Sequence, residues 1–493
     1  MILDILCATI TVVAVVCIGW YISIRKTFNF WKQKGVQGPQ PILFHGNWKD
    51  CVYGMLHPAE LARKFYNEFS DQKMVGIFIN HKPALILRDP ELIKTILQTD
   101  FDVFPDRGMP LHPKIDPLSR HLFTMEKTLW DPFSRNLSPA FSPSKVKEMI
   151  GPMMNVADHL VRHIKGLDDT SNIECIKLMV KFATQVVGSC AFGLEMDEFS
   201  GKSTFSLLNL KRKESSQFNF IRRFLREYLP FMYDRCAVFR DDNKIEFYRD
   251  MINFIKKSRE DAGISKQDYA GLLLQMKENV EKIGDIEFDE ELLAAQVYLY
   301  FTAGGDSTAI VIANAMYELA KNDQIQRKLR EEIRDSKIED GIYESLKSMK
   351  YLDKIFQETL RKYPLRNIHR RSSRPYTFPN TEITIPEGID VIICHYAVHQ
   401  DSSLYESPEN FDPDRFQENP NEGNGMIFLP FGGGRRYCIG SKVAEMMFKT
   451  VIISVIRNFQ IRIGSDAVSQ KTFSRKTFME PVSGIHIKFA KIE

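Results

Sequence analysis

The sequence predicts a mainly α-helical fold with small peripheral β-sheets and one N-terminal transmembrane helix. Helical periodicity runs through most of the chain after residue 48, and short β-rich runs lie towards its ends. The first residues form a long apolar stretch of the kind that crosses a bilayer. A mainly helical domain with small sheets at its edge is a known architecture for enclosing a large core.

The apolar stretch is Ile2–Ile24, interrupted only by Asp4 and a few hydroxyl side chains. As a helix it spans roughly 34 Å, which is enough for a bilayer. Arg25 and Lys26 follow at once, so the positive-inside rule places the rest of the chain in the cytosol. A cleaved signal peptide fits less well, because Asp4 replaces the basic n-region and the apolar run is too long. We expect a membrane anchor over residues 1–24.

A basic linker over residues 25–48 is expected next. It contains Gly38-Pro39-Gln40-Pro41, which cannot continue a helix and is typical of a stiff hinge. Residues 49–493 show no low-complexity linker, internal repeat or break in composition. We therefore expect one large domain after the linker.

The body contains five long helical segments and four β-rich runs. The helices are predicted at Pro143–Lys165, Cys175–Phe192, Asn243–Asp261, Asp289–Lys321 and Asn322–Ser336. The β-rich runs are Val75–Leu87, Thr377–Ile385, Asp390–Tyr396 and Ile485–Ile492.

One predicted helix is apolar almost all round, from Glu290 to Ala320, which is typical of a helix through the middle of a large protein. A second membrane span is the alternative, but Gln296, Asp306 and Asn314 would be expensive in lipid.

Charge and cysteine usage exclude several classes of function. The net charge of +3 and the lack of basic runs interleaved with aromatics argue against nucleic-acid binding. No two of the eight cysteines have CxxC spacing, which favours a reducing compartment over a disulfide framework or a zinc site. Only Cys438 lies in a chemically distinctive segment.

That segment is the loop Phe431–Gly440, with the sequence FGGGRRYCIG. Its glycines allow a tight turn and a close approach to a planar group. Arg436 is a fixed cation suited to a carboxylate, and a helix predicted from about Ser441 would stabilise an anionic Cys438 sulfur through its dipole. An inert cysteine in an ordinary glycine-rich loop is the structural alternative.

Two further motifs, a potential buried ion-pair triad and a glycine pair within a helix, can be interpreted from their residues. Glu358 and Arg361 share one helical face, and Arg415 can complete a buried triad with them; an exposed, weak pair is the alternative. Gly304-Gly305 in the middle of the long helix costs about 1 kcal/mol per glycine relative to alanine. Local opening of the helix beside a ligand would explain that cost, with simple packing glycines as the alternative.

These motifs resemble those of the cytochrome P450 family. The loop matches the FxxGxRxCxG signature at Phe431, Gly434, Arg436, Cys438 and Gly440. Upstream, in the family's order, lie segments similar to its oxygen-activation motif, its ExxR motif and its following arginine motif, at Ala303–Thr308, Glu358–Arg361 and Phe411–Phe416. The resemblance covers essentially the whole chain and is strongest to the clan of insect and vertebrate xenobiotic-oxidising enzymes.

The resemblance implies haem b with an axial thiolate from Cys438. It also implies that the haem propionates contact side chains at Arg436, Trp130, Arg107 and Arg371. Asp306 and Ser307 would deliver protons during oxygen activation, with Thr308 as the competing hydroxyl. The chain departs from the family twice: Ser307 replaces the usual threonine, and Arg135 lies one position late in the WxxxR motif.

The implied function is insertion of one oxygen atom from O2 into a lipophilic small molecule at the endoplasmic-reticulum membrane. No nucleotide-binding fingerprint follows a strand, so electrons from NADPH would come through a separate NADPH-cytochrome P450 reductase, with cytochrome b5 as a further candidate donor. By analogy the docking surface for the reductase would include Lys127, Lys145, Lys442 and Lys449.

Substrate contacts are implied at five apolar or aromatic segments: Met109–Pro117, Phe218–Phe231, Tyr298–Phe301, Leu365–Ile368 and Val482–Gly484. Any of them could instead be ordinary core, and Phe218–Phe231 could also contact membrane lipid. Two rival functions stay open: a haem-thiolate isomerase or dehydratase, which Asp306 and Ser307 argue against, and a haem-binding protein with little turnover.

Overall fold

The structure is a computed structural model that describes residues 2–200, 221–222, 224–226, 228–279, 282–283, 286–336, 341–416, 425–464, 473 and 478–492. The chain forms two compact units, each built from separate segments. Unit 1 comprises Met1–Gly108, Arg366–Val398 and Gly433–Arg435, and unit 2 comprises Met109–Leu365, His399–Gly432 and Arg436–Glu493.

The prediction of a mainly helical protein with small sheets is confirmed. The strands in chain order are β1 (Met74–Ile79), β2 (Lys82–Leu87), β3 (Ile173–Glu174), β4 (Lys282–Ile283), β5 (Ile286–Glu287), β6 (Ile368–Arg371), β7 (Tyr376–Thr377), β8 (Thr384–Ile385), β9 (Asp390–Ile393), β10 (Phe459–Ile463) and β11 (His486–Lys491). All four predicted β-rich runs contain strands.

Unit 1 is built around a four-stranded sheet with the order β1-β2-β9-β6. β1 and β2 form an antiparallel hairpin, β9 runs parallel to β2, and β6 pairs with β9 antiparallel, with Ile368 opposite Ile393. The longer helices of this unit are Ile2–Thr27 and Pro58–Glu68, and the shorter ones are Phe30–Gln33, Lys49–Val52, Pro90–Lys94 and His395–Val398.

The segment expected to be a linker packs against this sheet. Trp31 is buried and its indole N–H donates to the Ile77 carbonyl at 2.9 Å. A Cβ on Gly38 would lie 1.8 Å from the Gly76 carbonyl oxygen, so the chain approaches β1 closely just before the prolines. Gly38, the first residue of the predicted hinge Gly38–Pro41, is thus held by close backbone packing on β1 that its composition does not reveal.

Unit 2 contains most of the helices that the described residues form. Those of seven residues or more are Lys127–Leu137, Pro143–Lys165, Cys175–Val187, Asp242–Ala262, Tyr269–Asn279, Glu290–Leu299, Ser307–Lys321, Asp323–Asp335, Ile342–Ser348, Lys350–Lys362 and Ser441–Asn458. A three-stranded sheet with the order β10-β11-β3 lies in the same unit. The five predicted helices are all present.

The central helix of unit 2 runs from Glu290 to Lys321, and it is not α-helical throughout. Tyr300–Asp306 forms a π-helical turn between two α-helical halves. Such turns insert an extra residue and bulge the helix, frequently at functional sites. The predicted local opening at the glycine pair is thus confirmed.

Among the helices whose side chains the structure describes throughout, Cys175–Phe192 is long and apolar enough for a membrane span, and 78% of it is buried within the protein. Its Cys175 thiol contacts the Met316 sulfur of the central helix at 3.6 Å. Its apolar surface therefore belongs to the core of unit 2.

Candidate active site

The cysteine loop holds its sulfur at an accessible position. The Cys438 side chain is exposed, and its backbone N–H donates a 3.0 Å hydrogen bond to the Phe431 carbonyl. Gly432 has a φ of +79°, a left-handed conformation that L side chains rarely adopt. The loop thus closes on its own backbone and leaves Cys438 exposed.

Gly434 of the same loop can only be glycine. Its φ is +67°, and a Cβ at this position would lie 1.7 Å from the Leu97 carbonyl oxygen. Backbone cannot move out of the way as a flexible side chain could. The glycine is therefore required by a close backbone approach inside unit 1.

A long helix begins directly after the loop at Ser441, with Gly440 as its N-cap. Its dipole places partial positive charge near the Cys438 sulfur and favours the thiolate. Other thiols are in a different setting, because burial raises the pKa of Cys190 and of Cys394 to about 12. Those two thiols stay protonated at neutral pH, whereas Cys438 has surroundings suited to a metal ligand.

The structure brings two predicted propionate contacts together. Arg436 is only 3% exposed, and its guanidinium carbon lies 4.2 Å from the centre of the Trp130 ring. The indole face stabilises the cation and fixes the plane of the guanidinium. A fixed planar fork of N–H donors suits a carboxylate.

Arg135, the displaced arginine of the same helix, does not join this pair. Its side chain is exposed, and Nε donates to the Asp131 carbonyl one turn earlier at 3.3 Å. The single-residue shift turns it about 100° around the helix axis. Only Trp130 of this motif therefore contributes to the candidate site.

Arg107 and Arg371 lie in unit 1 and differ in their surroundings. Arg371 forms a bidentate ion pair with Asp390, at 2.7 and 3.0 Å. Arg107 is partly buried, and its charge contributes to lowering the pKa of His369. The guanidinium of Arg371 is thus already satisfied by a carboxylate of the protein.

Arg370, which the sequence reasoning missed, is the buried arginine of this strand. It is 2% exposed and donates to the Gly433 carbonyl of the cysteine loop at 3.4 Å. Neighbouring residues of a strand point to opposite faces, so Arg370 and Arg371 cannot both face the loop. Knowledge of the strand register would have favoured Arg370.

The opened turn of the central helix exposes backbone and hydroxyl groups. The Ser307 hydroxyl donates to the Ala303 carbonyl one turn earlier, and Ala303 keeps accessible surface although it lies in mid-helix. Thr308 is only 5% exposed. Of the two competing hydroxyls, Ser307 is the one beside accessible space.

Asp306 ends the π-helical turn and lies partly buried. The pKa of the Tyr248 phenol is raised mainly by burial, and further by the nearby charges of Tyr298 and Asp306. The Asp306 carboxylate therefore lies near the Tyr248 phenol inside unit 2.

An aromatic cluster joins the cysteine loop to the opened turn. A Cβ on Gly440 would lie 3.8 Å from the Phe141 ring, and that ring stacks on Tyr300 with 5.7 Å between centroids. Burial raises the pKa of Tyr300, and Cys438 is among the charges that raise it further. The sulfur and the π-helical turn therefore lie in one region of unit 2.

The predicted triad is assembled and buried. Glu358 accepts two bonds from Arg361, at 2.7 and 2.8 Å, and one from Arg415 at 3.1 Å. Glu358 and Arg361 have no exposed surface. The alternative of an exposed, weak pair is excluded.

The triad also organises backbone that leads to the cysteine loop. Arg361 donates to the carbonyls of His399 at 2.7 Å and Pro408 at 2.8 Å. The His399 ring in turn accepts from the Leu429 N–H at 3.1 Å, two residues before Phe431. The triad is therefore connected to the cysteine loop through His399 and Leu429.

The lysines expected on a docking surface need one correction. Lys449 is 1% exposed, ion-pairs with Asp353 and with Glu445, and donates to the Leu346 carbonyl. Sequence alone cannot reveal this burial, because the long side chain passes between helices. Lys442 remains exposed and paired with Glu445 at 3.0 Å.

The predicted substrate segments are only partly described. Residues 218–220, 223 and 227 of Phe218–Phe231 lie outside the described residues. Tyr298 forms an edge contact with Tyr248 and lies under the Lys244 ammonium at 3.9 Å. Phe301 is buried against Phe192.

These residues fit a haem-thiolate centre. An exposed cysteine precedes a helix N-terminus, a buried guanidinium lies over an indole ring, and a core helix opens where Ala303 keeps accessible surface. Cys438 would hold the iron and Arg436 a propionate, while Asp306 and Ser307 would handle protons.

Comparison with known proteins agrees with this chemistry. A cytochrome P450 family model matches residues 36–489. Similar proteins include cytochrome P450 6A1 of Musca domestica (32% identity, covering 90% of this chain and 89% of the relative) and cytochrome P450 6B2 of Helicoverpa armigera (30%, covering 91% of each). Cytochrome P450 6B1 of Papilio polyxenes is 30% identical over 94% of this chain and 96% of its own length.

Proposed function

The chain belongs to the cytochrome P450 family of haem-thiolate monooxygenases, and on that premise we propose that Cys438 is the axial ligand of its haem b. We also propose that the enzyme inserts one oxygen atom from O2 into a lipophilic small molecule. The main support for this proposal is that Cys438 is exposed just before the N-terminus of the helix Ser441–Asn458. The same region of unit 2 contains the opened turn Tyr300–Asp306.

When bound, haem with a thiolate ligand supplies the electronic push that favours O–O cleavage. The protein's part is to hold the cofactor and move protons. Arg436 on Trp130 would bind one propionate, and the buried Arg370 is a second candidate cation. Arg107 remains a candidate propionate contact. Arg371 is the weaker candidate, since Asp390 already neutralises it.

Proton delivery is assigned to Asp306 and Ser307. The Ser307 hydroxyl lies beside accessible space and is held by the Ala303 carbonyl. Asp306 is close enough to Tyr248 to affect its pKa. A carboxylate that takes protons from its surroundings and a hydroxyl that passes them on form a short relay.

We propose that NADPH supplies the electrons through a separate NADPH-cytochrome P450 reductase, with cytochrome b5 as a second electron donor. The enzyme would face the cytosol from the endoplasmic-reticulum membrane, held by the helix Ile2–Thr27, which is about 39 Å long. Large apolar side chains of this helix are exposed, among them Val12 at 62% and Val15 at 64%. Such a surface suits lipid.

The experiment combines the purified holoenzyme, the reductase, NADPH and ¹⁸O2 with a panel of lipophilic compounds. A monooxygenase consumes NADPH and places one labelled atom in the product. Product formed without NADPH and without label would instead identify an isomerase or dehydratase. Asp306→Asn serves as the internal comparison, because it should slow labelled product formation while Cys438 still holds haem.

A further inference from the structure

The segment Met109–Pro117 is held at two points, and both contacts lie within unit 2. At the first, the Lys114 carbonyl accepts from Arg240 at 2.7 Å, and Arg240 ion-pairs with Glu291 at 2.7 Å. The neighbouring Ile115 is buried in an apolar cluster. The C-terminal part of the segment is therefore anchored by several contacts.

His112 is the second point of attachment, and it depends on one polar side-chain contact. Its Nδ1 lies 2.7 Å from Oδ1 of Asp234. An ionised carboxylate can only accept, so Nδ1 carries the proton and donates it. The imidazole also makes an edge contact with the Tyr233 ring, with 4.9 Å between centroids. Residues 109–112 have no regular secondary structure, so no helix or strand pairing reinforces this attachment.

The other ring nitrogen of His112 makes this attachment easy to release. Nε2 is buried and has no hydrogen-bond partner among the described residues, and His112 is only 6% exposed. A buried nitrogen without a partner costs free energy, which contact with water would recover. Opening the segment would thus lose the bond to Asp234 but hydrate Nε2, and these two effects oppose each other. Such a contact is suited to reversible opening.

We propose that His112 and Asp234 form a latch, which closes the segment Met109–Pro117 and sets how fast large ligands enter the enzyme. The inference rests on the proposed function, because this segment and Phe218–Phe231 are predicted to contact substrate. Asp234 follows the second segment by three residues, so the closed latch ties the first segment to the chain just after the second. When it opens, the residues before Lys114 can move while that carbonyl stays bound. The two latch residues act by positioning the segment.

Hydrogen exchange of the full-length holoenzyme, followed by mass spectrometry, tests the latch directly. The backbone N–H groups of Ile115 and Asp116 donate to the His112 carbonyl at 3.0 and 2.7 Å, so their exchange reports movement of His112. Asp234→Ala should speed this exchange about ten- to a hundredfold, the range of a hydrogen bond to a charged group. His112→Phe should speed it less, because that change also removes the unpaired Nε2. In the His112→Phe background, Asp234→Ala should add nothing, since no bond remains to be lost.

Ligand entry is measured by stopped-flow absorbance with imidazole and with 1-dodecylimidazole, which offer the iron the same kind of nitrogen but differ in size. Asp234→Ala should raise the association rate constant of 1-dodecylimidazole about ten- to a hundredfold and that of imidazole less than about twofold, because entry that requires opening is slowed by it. Glu246→Gln is the control. Glu246 is exposed and pairs with Arg249 on the helix Asp242–Ala262, so this variant should match wild type in both assays.

Unchanged exchange in Asp234→Ala, or an equal gain in the His112→Phe background, would overturn the latch. Equal acceleration of both imidazoles would also overturn it, because that result indicates a general loosening of the protein. Exchange needs no haem signal. A wild type that binds neither imidazole but shows the expected exchange pattern would support the latch and contradict the proposed haem-thiolate function.

Discussion

Replacing Glu358 by glutamine is expected to lower the free energy of unfolding by about 3 kcal/mol. Removing one member of a buried ion-pair network costs about 3–5 kcal/mol, because the remaining charges stay buried. Glutamine keeps the shape of the side chain and removes the charge that faces Arg361 and Arg415. Arg361 keeps its bonds to backbone carbonyls and Arg415 is 12% exposed, which favours the lower end of that range.

The matched control is Glu260→Gln. Glu260 pairs with Lys256 at 3.8 Å on a helix surface, with side chains 62% and 51% exposed. Such pairs contribute less than about 0.5 kcal/mol. Urea unfolding followed by tryptophan fluorescence, together with haem retention after mild heating, measures both variants.

The triad variant should unfold at lower urea and lose haem sooner, because His399 and Leu429 connect the triad to the cysteine loop. The control should match wild type in both assays. If Glu358→Gln also remains within 1 kcal/mol of wild type, the buried network does not stabilise this chain in the way argued.

Three further predictions concern the cysteine loop, the proton relay and the N-terminal segment. Gly434→Ala should prevent haem incorporation, measured from the absorbance ratio of haem to protein, since its Cβ would meet backbone at 1.7 Å. Ser307→Thr should raise the amount of product formed per NADPH, because a branched side chain is stiffer at χ1. Asp306→Asn should slow turnover by about ten- to a thousandfold. If both variants match wild type in coupling and rate while Thr308→Ala loses activity, the relay uses the Thr308 hydroxyl instead. Deleting Ile2–Ile24 should leave a haem-binding protein that sediments less with membranes, and failure to fold would make this segment part of the core.

Local sequence signals predicted much of the fold. The helix Pro143–Lys165 has the predicted bounds, because its apolar period and its flanking residues agree. The cost of Gly304-Gly305 inside a helix correctly indicated an opened turn. The residues of the cysteine loop predicted tight backbone turns, and Gly432 and Gly434 have left-handed φ angles.

Other features depend on tertiary contacts, which local patterns do not reveal. Packing on β1 fixes Gly38, although its proline-rich surroundings are typical of a hinge. Lys449 is buried by neighbouring helices, and no local pattern marks it. The choice between Arg370 and Arg371 depends on which face of β6 meets the loop, and a one-residue uncertainty in register reverses the answer.

The most direct test of the central claim is the absorption spectrum of the reduced protein with carbon monoxide, for wild type, Cys438→Ser and Cys190→Ser. Thiolate ligation gives a strongly red-shifted Soret band. Wild type and Cys190→Ser should both show it, because the partly buried Cys190 thiol is protonated with a pKa of about 12. Cys438→Ser should lose it, and a serine variant that keeps the band would mean that another residue holds the iron.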